Sequence, residues 1–391
     1  MKILFCNYEY PPLGGGGGVI CARLAEHFAR EHEVTVLTSA SGDLSTEEVV
    51  NKVRILRVPV YLRREQAVAN LPSMACYMLN GIRYGRRLLE REQFDIINTH
   101  FALPSGPVGQ ALASYADLPH VLSVHGGDLY DPSKFTSPHR HWILRTWVTR
   151  LLRQANAVVG NSRNTHDNVL NFYDSQLPVK SIPLGIDRPR FTACKRSDLG
   201  LREDDFVLVT VGRLVDRKGL DRLLQIIAKA SIPRLKLLVI GSGPLEGELS
   251  VMARSLGLEK QVIFKGFVEE QRKQQLLNTA DLYVSSSQHE GFGLVFLEAM
   301  AHALPVICYD HGGQSDFLKD GETGALLPLN DEPAFLDALT KLHQDDEGRV
   351  RVGQYNLRKV EAYYIEVCAE RYKTLFDELS ADKVMIGSSQ C

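Results

Sequence analysis

The chain has little net charge, no long apolar run and no paired cysteines. Its formal charge is −2, from 45 Lys+Arg against 47 Asp+Glu. A balance that close gives no bulk attraction to nucleic acid or to an anionic membrane. No apolar run approaches the ~18 residues that a membrane-crossing helix needs. The opening "MKILFCNYEY" carries one lysine and a four-residue apolar stretch, too short for a secretory leader, and reads as a first strand. The seven cysteines, at 6, 21, 76, 194, 308, 368 and 391, form no C-x-x-C pair and no zinc spacing. Scattered single cysteines suit a reducing compartment, where they pack as small apolar residues. The expectation is a cytoplasmic protein, peripheral at most to the inner face of the membrane. No Asp-x-Asp pair is present either.

What is present is a large apolar complement, 44% of 391 residues. Single cores stop growing at about 250–300 residues, so two domains are expected. Short apolar runs alternate with helical patterns: "KILFCN", "VICARLAEHFAREH", "EVTVLTS", then "FDIINTH", "GPVGQALASYA", "HVLSVHGG". This βαβα order predicts parallel sheets with helices on both faces. Residues 183–204, with two prolines and a charge cluster, read as the linker. A second series follows, from "FVLVTVGR" through "DLYVSSS", "LVFLEAMAHA" and "PVICYD", and a long helical stretch over 351–380 closes it. The predicted fold is α/β, with two doubly wound Rossmann-like domains and a cleft between them. The boundaries are 1–187 for an N-terminal acceptor-side domain and 188–370 for a C-terminal donor-side domain. Residues 371–391 are a helical tail that packs back on the first domain.

Five consecutive glycines, Gly14–Gly18, lie between a strand and a helix. Glycine lets a ligand touch the backbone, and a helix N-terminus favours an anion. A dinucleotide site would need an acidic residue ending the second strand, but "EVTVLTS" ends in Thr38 and Ser39. That weakens a nicotinamide oxidoreductase reading.

The most informative stretch is "HEGFGLVFLEAMAHALPVICYDHGG", 289–313. Glu290 follows a strand, a helix starts near Gly293, and Glu298 lies about a turn into it. The backbone N–H groups of Phe292, Gly293 and Leu294 suit phosphate or sugar oxygens. Carboxylates would repel a phosphate but match a vicinal diol, since they only accept. Positive charge comes from "VGRLVDRKGLDRLL", with Arg213 at a strand end and Lys218 before a helix. These cations would stabilise a departing diphosphate, or simply pair with Asp216 and Asp221 at the surface.

In order along the chain, "PPLGGGGG", "GRLVDRKGLDRLL", "VIGSGPLEGEL", "VIFKGFV", Glu290-x7-Glu298, "EAMAHALPVI" and "GGQSDFLKDGETGALLP" resemble the retaining glycosyltransferases of family four, with the GT-B fold. The resemblance implies that Arg213 and Lys218 bind a nucleotide diphosphate, Glu298 the ribose and Glu290 the donor sugar, beside the N–H groups of Phe292–Leu294. Gly266 and Val268 would face the base. Gly15 and Gly16 would let the N-terminal domain close on diphosphate and sugar. His125 in "SVHGGD" matches the family's active-site histidine, with Asp128 nearby on the acceptor side. The sequence departs from the family at Ala303, where glycine is usual, and at Asp316, where glutamate is usual.

The implied activity is transfer of a hexose-type sugar from a UDP- or GDP-sugar to an acceptor hydroxyl, with retention. The implied attack is front-face, with Glu290 as a nucleophile the alternative. No metal or other cofactor is implied. The acceptor would be a glycan, a lipid-linked sugar or a small molecule. An epimerase of the same fold and a non-catalytic nucleotide-sugar binding protein are the rival readings. The Trp- and Arg-bearing stretch 134–154 reads as a packed surface helix, with contact to an anionic membrane the alternative.

Overall fold

The computed structural model describes residues 1–61, 70–132, 135–190 and 194–388. The chain forms two compact units, Met1–Asp187 with Tyr364–Cys391, and Arg188–Tyr363.

The first unit runs β1 (Lys2–Cys6), α1 (Gly16–Phe28), β2 (Glu33–Ser39), β3 (Glu47–Val50), β4 (Val53–Val58) and α2 (Leu71–Leu89). It continues with β5 (Ile96–His100), α3 (Ser105–Ala116), β6 (His120–Val124), α4 (Trp142–Gln154), β7 (Ala157–Gly160), α5 (Arg163–Phe172) and β8 (Val179–Ser181). Its sheet has the order β3-β4-β2-β1-β5-β6-β7-β8. All pairings are parallel except β3 with β4. Central strands such as β5 (IINTH) and β6 (HVLSV) are buried throughout, as strands covered on both faces must be.

The second unit runs β9 (Phe206–Val211), α6 (Leu220–Lys229), β10 (Leu235–Ile240), α7 (Glu246–Ser255), β11 (Val262–Gly266) and α8 (Glu270–Thr279). Then come β12 (Leu282–Ser285), α9 (Leu294–Ala301), β13 (Val306–Tyr309), β14 (Gly324–Leu327), α10 (Glu332–Gln344) and α11 (Asp346–Val360). Its sheet is parallel, ordered β11-β10-β9-β12-β13-β14. Helix α6 shows why the pattern folds: Leu223, Leu224, Ile226 and Ile227 recur at helical spacing and are all buried. Each such side chain stabilises the fold by roughly 1.5–3 kcal/mol.

Both sheets reverse their strand order, between β1 and β5 in the first unit and between β9 and β12 in the second. Ligands of open α/β sheets bind beyond the strand C-termini at such a reversal.

Three differences from the sequence reading concern short or interrupted elements. β3, α5 and β14 carry too few apolar residues in phase to be read by pattern, whereas α10 does carry a helical phase, Phe335, Ala338, Leu339 and Leu342, that the sequence reading passed over. The stretch 351–380 is not one helix: α11 stops at Val360, and α12 (Ile365–Ser388) begins after a short turn. The break has a tertiary cause, because the N–H of Ile365 bonds the carbonyl of Ile186 at 2.8 Å, and Ile186 pairs with Tyr364. The same pairing moves the boundary. Residues 364–370 belong to the first unit, not to the second as the composition suggested.

Candidate functional site

In the second unit, the loops after β9 and β12 meet at the strand reversal. Gly219 makes the first loop possible, with φ +59° and no room for a Cβ, which would lie 2.5 Å from the Ser286 carbonyl oxygen. Ser286 Oγ in turn donates to the Gly219 carbonyl at 2.7 Å. This stitching sets Lys218 opposite Glu290. The Lys218 ammonium contacts Glu290 Oε1, and Ser287 Oγ donates to the same oxygen at 2.7 Å. Arg217 reaches Oε2 at 3.4 Å and donates to the His289 carbonyl at 2.5 Å. Lys218 thus pairs with Glu290, not with Asp216 or Asp221.

Glu290 is buried. Burial alone would raise its carboxyl pKa, but Lys218 and Arg217 outweigh it and hold the group at about 2. Its backbone is clamped as well, donating to the His311 carbonyl at 3.3 Å and accepting from Gly313 N–H at 2.8 Å. Gly212, Arg213, Lys218, Ser285 and Ser287 line a pocket here, with Arg213 exposed.

Helix α9 starts after Gly293, which has φ +92°. The N–H groups of Phe292, Gly293 and Leu294 precede its first internal bond, from Phe296 N–H to the Gly293 carbonyl at 3.0 Å. Glu298 faces α8, where Lys273 donates to its Oε2 at 2.8 Å. Lys273 also pairs with Glu270 at 2.9 Å. Burial would lower the Lys273 ammonium, and Glu298 and Glu270 raise it instead. Sequence reasoning missed Lys273 and Arg217. Lys273 lies 25 positions from its partner in a polar helix, with no local pattern to mark it.

Gly266 ends β11 with φ +64°, and its carbonyl accepts from Gly241 N–H at 2.8 Å. A Cβ at Gly241 would overlap the Gly212 carbonyl oxygen. The strand ends carrying Gly266, with Val268 just beyond, are therefore tied to the Arg213 loop. Ala303 has φ +58°, and its N–H and that of Leu304 bond back to Met300 and Ala299 at 3.0 and 3.1 Å. This is a glycine-type helix cap occupied by alanine. Asp316 ends the turn Gly313–Asp316 after β13.

The first unit gathers the other predicted residues at its own strand reversal. Glu9 Oε2 accepts from Gly15 N–H at 3.0 Å, and Gly16 opens α1. Gly14 has φ +95° and would place a Cβ 2.5 Å from that of Glu9. Glycine is also required at Gly17, where a Cβ would enter the Phe101 ring, whereas Gly15 faces open space. Phe101 itself has φ +74°, a strained conformation for a bulky residue, and its ring lies 4.7 Å from that of His125. His125 Nε2 bonds His100 Nδ1 at 2.9 Å. Burial lowers the His125 pKa to about 4. Asp128 turns its carboxylate to the backbone, accepting from His125 N–H at 2.9 Å and Ala102 N–H at 2.7 Å. It braces the loop that carries His125.

Two family models match in succession, Glycosyltransferase Family 4 over residues 14–190 and Glycosyl transferases group 1 over 193–359. An uncharacterized glycosyltransferase of Methanocaldococcus jannaschii is 30% identical over 83% of this chain and 84% of its own length. The chain belongs to the group 1 glycosyltransferase family. It is also similar to the UDP-Gal:alpha-D-GlcNAc-diphosphoundecaprenol alpha-1,3-galactosyltransferase of Escherichia coli, 23% identical over 98% of both chains. Sucrose-phosphate synthase from Thermosynechococcus elongatus shares the fold with a TM-score of 0.86 at 22% identity, over 97% of this chain and 99% of that one. Anabaena HepE, solved with UDP, follows at 0.79 and 20% identity, over 97% and 100%. The GT-B fold class and the glycosyltransferase class read from the sequence are therefore those of this protein.

Among the described residues, no helix is long and apolar enough to cross a membrane, and no His/Cys/Asp/Glu cluster is built to hold a metal ion. Helix α4 packs through Val148, Leu151 and Leu152. It leaves Trp142 74% and Ile143 60% exposed beside the exposed Arg145.

Proposed function

We propose that this enzyme moves a hexose-type sugar from a UDP- or GDP-sugar to an acceptor hydroxyl, with retention and without a metal. The observation that carries the reading is the clamp on Glu290, where two cations and a serine meet one carboxylate at the strand reversal. A diphosphate at Arg213, drawing on Lys218, would meet fixed positive charge as it departs. The α9 N-terminus adds N–H groups of Phe292, Gly293 and Leu294. Glu298 takes the ribose diol, and Gly266 and Val268 border the base. His125, Gly15 and Gly16 contribute from the first unit, with Asp128 in support.

Glu290 is a poor nucleophile in this setting. Both its oxygens already accept from protein donors, and its low pKa marks a strongly stabilised anion. The reading therefore favours front-face attack, in which the leaving phosphate helps take the acceptor proton. Named relatives support a uridine donor: the Escherichia coli enzyme uses UDP-Gal by its name, and HepE was solved with UDP-glucose. The acceptor classes are a growing glycan, a lipid-linked sugar or a small metabolite. The exposed Trp142 and Ile143 beside Arg145 suit contact with an anionic inner-membrane face, where a lipid-linked acceptor would lie.

The test is a thermal-shift panel of UDP, GDP, ADP, TDP and NAD, with and without EDTA. A ligand of the native state raises stability by RT ln(1 + [L]/Kd). One nucleoside diphosphate should shift the transition, regardless of EDTA, and lose its effect in Arg213→Ala. A response to NAD alone, or a shift abolished by EDTA, overturns the reading. Turnover of the sugar nucleotide without an acceptor would point to the epimerase, and binding without turnover to a binding protein.

A further inference from the structure

A hydrogen-bonded chain runs from α12 to His125 inside the first unit. The Tyr372 hydroxyl donates to Ser123 Oγ at 2.9 Å, and Ser123 Oγ donates to Asn98 Oδ1 at 3.0 Å. Asn98 Nδ2 lies 3.4 Å from His100 Nε2. His100 Nδ1 lies 2.9 Å from His125 Nε2. The last polar atom, His125 Nδ1, is buried and has no hydrogen-bond partner among the described residues. His125 as a whole is 9% exposed.

The direction of this chain fixes its protons. Ser123 receives from Tyr372, so its own proton points to Asn98, which therefore presents oxygen to Ser123 and its amide N–H to His100. An amide nitrogen only donates, so His100 Nε2 must accept. A neutral imidazole that accepts at one nitrogen donates at the other. His100 therefore donates from Nδ1, His125 accepts at Nε2, and the proton of His125 is left on Nδ1. Burial keeps both rings neutral, with His100 held well below the ordinary histidine range.

We propose that Asn98 and His100 are positioning residues that set the tautomer of His125, so that its Nδ1–H is kept as a donor for an acceptor oxygen of the bound sugar nucleotide. The inference rests on the proposed function only for the identity of that oxygen. The cost of a buried, unmet N–H is then relieved when substrate binds, which favours the occupied state. A histidine in the other tautomer would offer a lone pair at the same place and repel the oxygen.

The experiment uses the full chain labelled with 15N-histidine, with His125 resonances assigned against a His125→Gln variant. Long-range proton–nitrogen correlation without ligand should show His125 protonated on Nδ1. His100→Asn keeps an amide N–H near the position of Nδ1, so it should retain that tautomer and kcat/KM within about 3-fold. His100→Leu has no donor, so it should lose the Nδ1–H signature and about 10-fold or more in kcat/KM, the scale of one hydrogen bond. Protonation of His125 on Nε2 in the unaltered chain overturns the proposal, as does equal behaviour of the two variants. If no sugar nucleotide is turned over, the functional reading fails, while the tautomer assignment still decides this one.

Discussion

Phe101 occupies the space that a side chain at Gly17 would need. The same ring lies against His125, so one aromatic links the glycine run to the histidine. Alanine at Gly17 must displace that ring and should destabilise the first unit by about 1–3 kcal/mol, the usual cost of overpacking. Alanine at Gly15 meets nothing within 4 Å, so its cost to stability should be confined to a weaker α1 cap, about 1 kcal/mol or less. Its larger effect belongs to the ligand: donor turnover should fall by more than that loss of stability explains. A Gly15→Ala enzyme with full activity would remove Gly15 from the site.

Glu290 links stability to pH. Its carboxyl titrates at about 2 in the folded chain, against an ordinary value of 4.5. The unfolded chain binds the proton first, so the stabilisation is complete above pH 4.5 and is lost as pH falls through the folded value. At 1.36 kcal/mol per pKa unit this amounts to about 3 kcal/mol. Urea denaturation of the unaltered chain and Glu290→Gln should differ by that order at pH 6 and converge toward pH 2. A difference independent of pH would mean that the clamp carries no such charge.

Lys273 should matter to nucleotide binding without belonging to any recognisable motif. It holds Glu298 from α8, and Glu298 is the group assigned to the ribose. Lys273→Met should weaken affinity for the nucleoside diphosphate about 10-fold, the scale of one charge-assisted hydrogen bond. Isothermal titration against the diphosphate measures this directly. Unchanged affinity would separate Lys273 from the site.

Ala303 carries a left-handed backbone angle that suits glycine. Alanine pays steric strain of about 1–2 kcal/mol there, partly offset by the greater freedom of glycine in the unfolded chain. Ala303→Gly should therefore stabilise the protein by about 0.5–1 kcal/mol, seen as a rise in melting temperature, and leave activity alone.

The two sheets and their reversals are legible because buried parallel strands are short apolar runs separated by helical patterns. Glu290, Arg213 and Lys218 are legible because each sits beside a glycine in a loop between a strand and the next helix. The partners are another matter. Glu9, Arg217 and Lys273 lie in loops or polar stretches that look like solvated surface, and His100 ends a buried strand, where neither period nor composition names its partner. Ala303 is the instructive middle case: a departure from the expected glycine was visible in the sequence, and the backbone angle supplies its physical meaning.

The return of α12 to the first unit has a temporal consequence. Residues 188–363 are continuous and can close their core while the chain is still being made. The first sheet emerges earlier, yet Tyr372 and Phe376, buried beneath its surface, follow the whole second unit in the chain. Phe376 stacks on Phe28 at 5.4 Å, joining α12 to α1 across the intervening second unit of the chain. The unit whose synthesis begins first is thus completed only after the second unit has been made, and its histidine relay is closed only once α12 has left the ribosome.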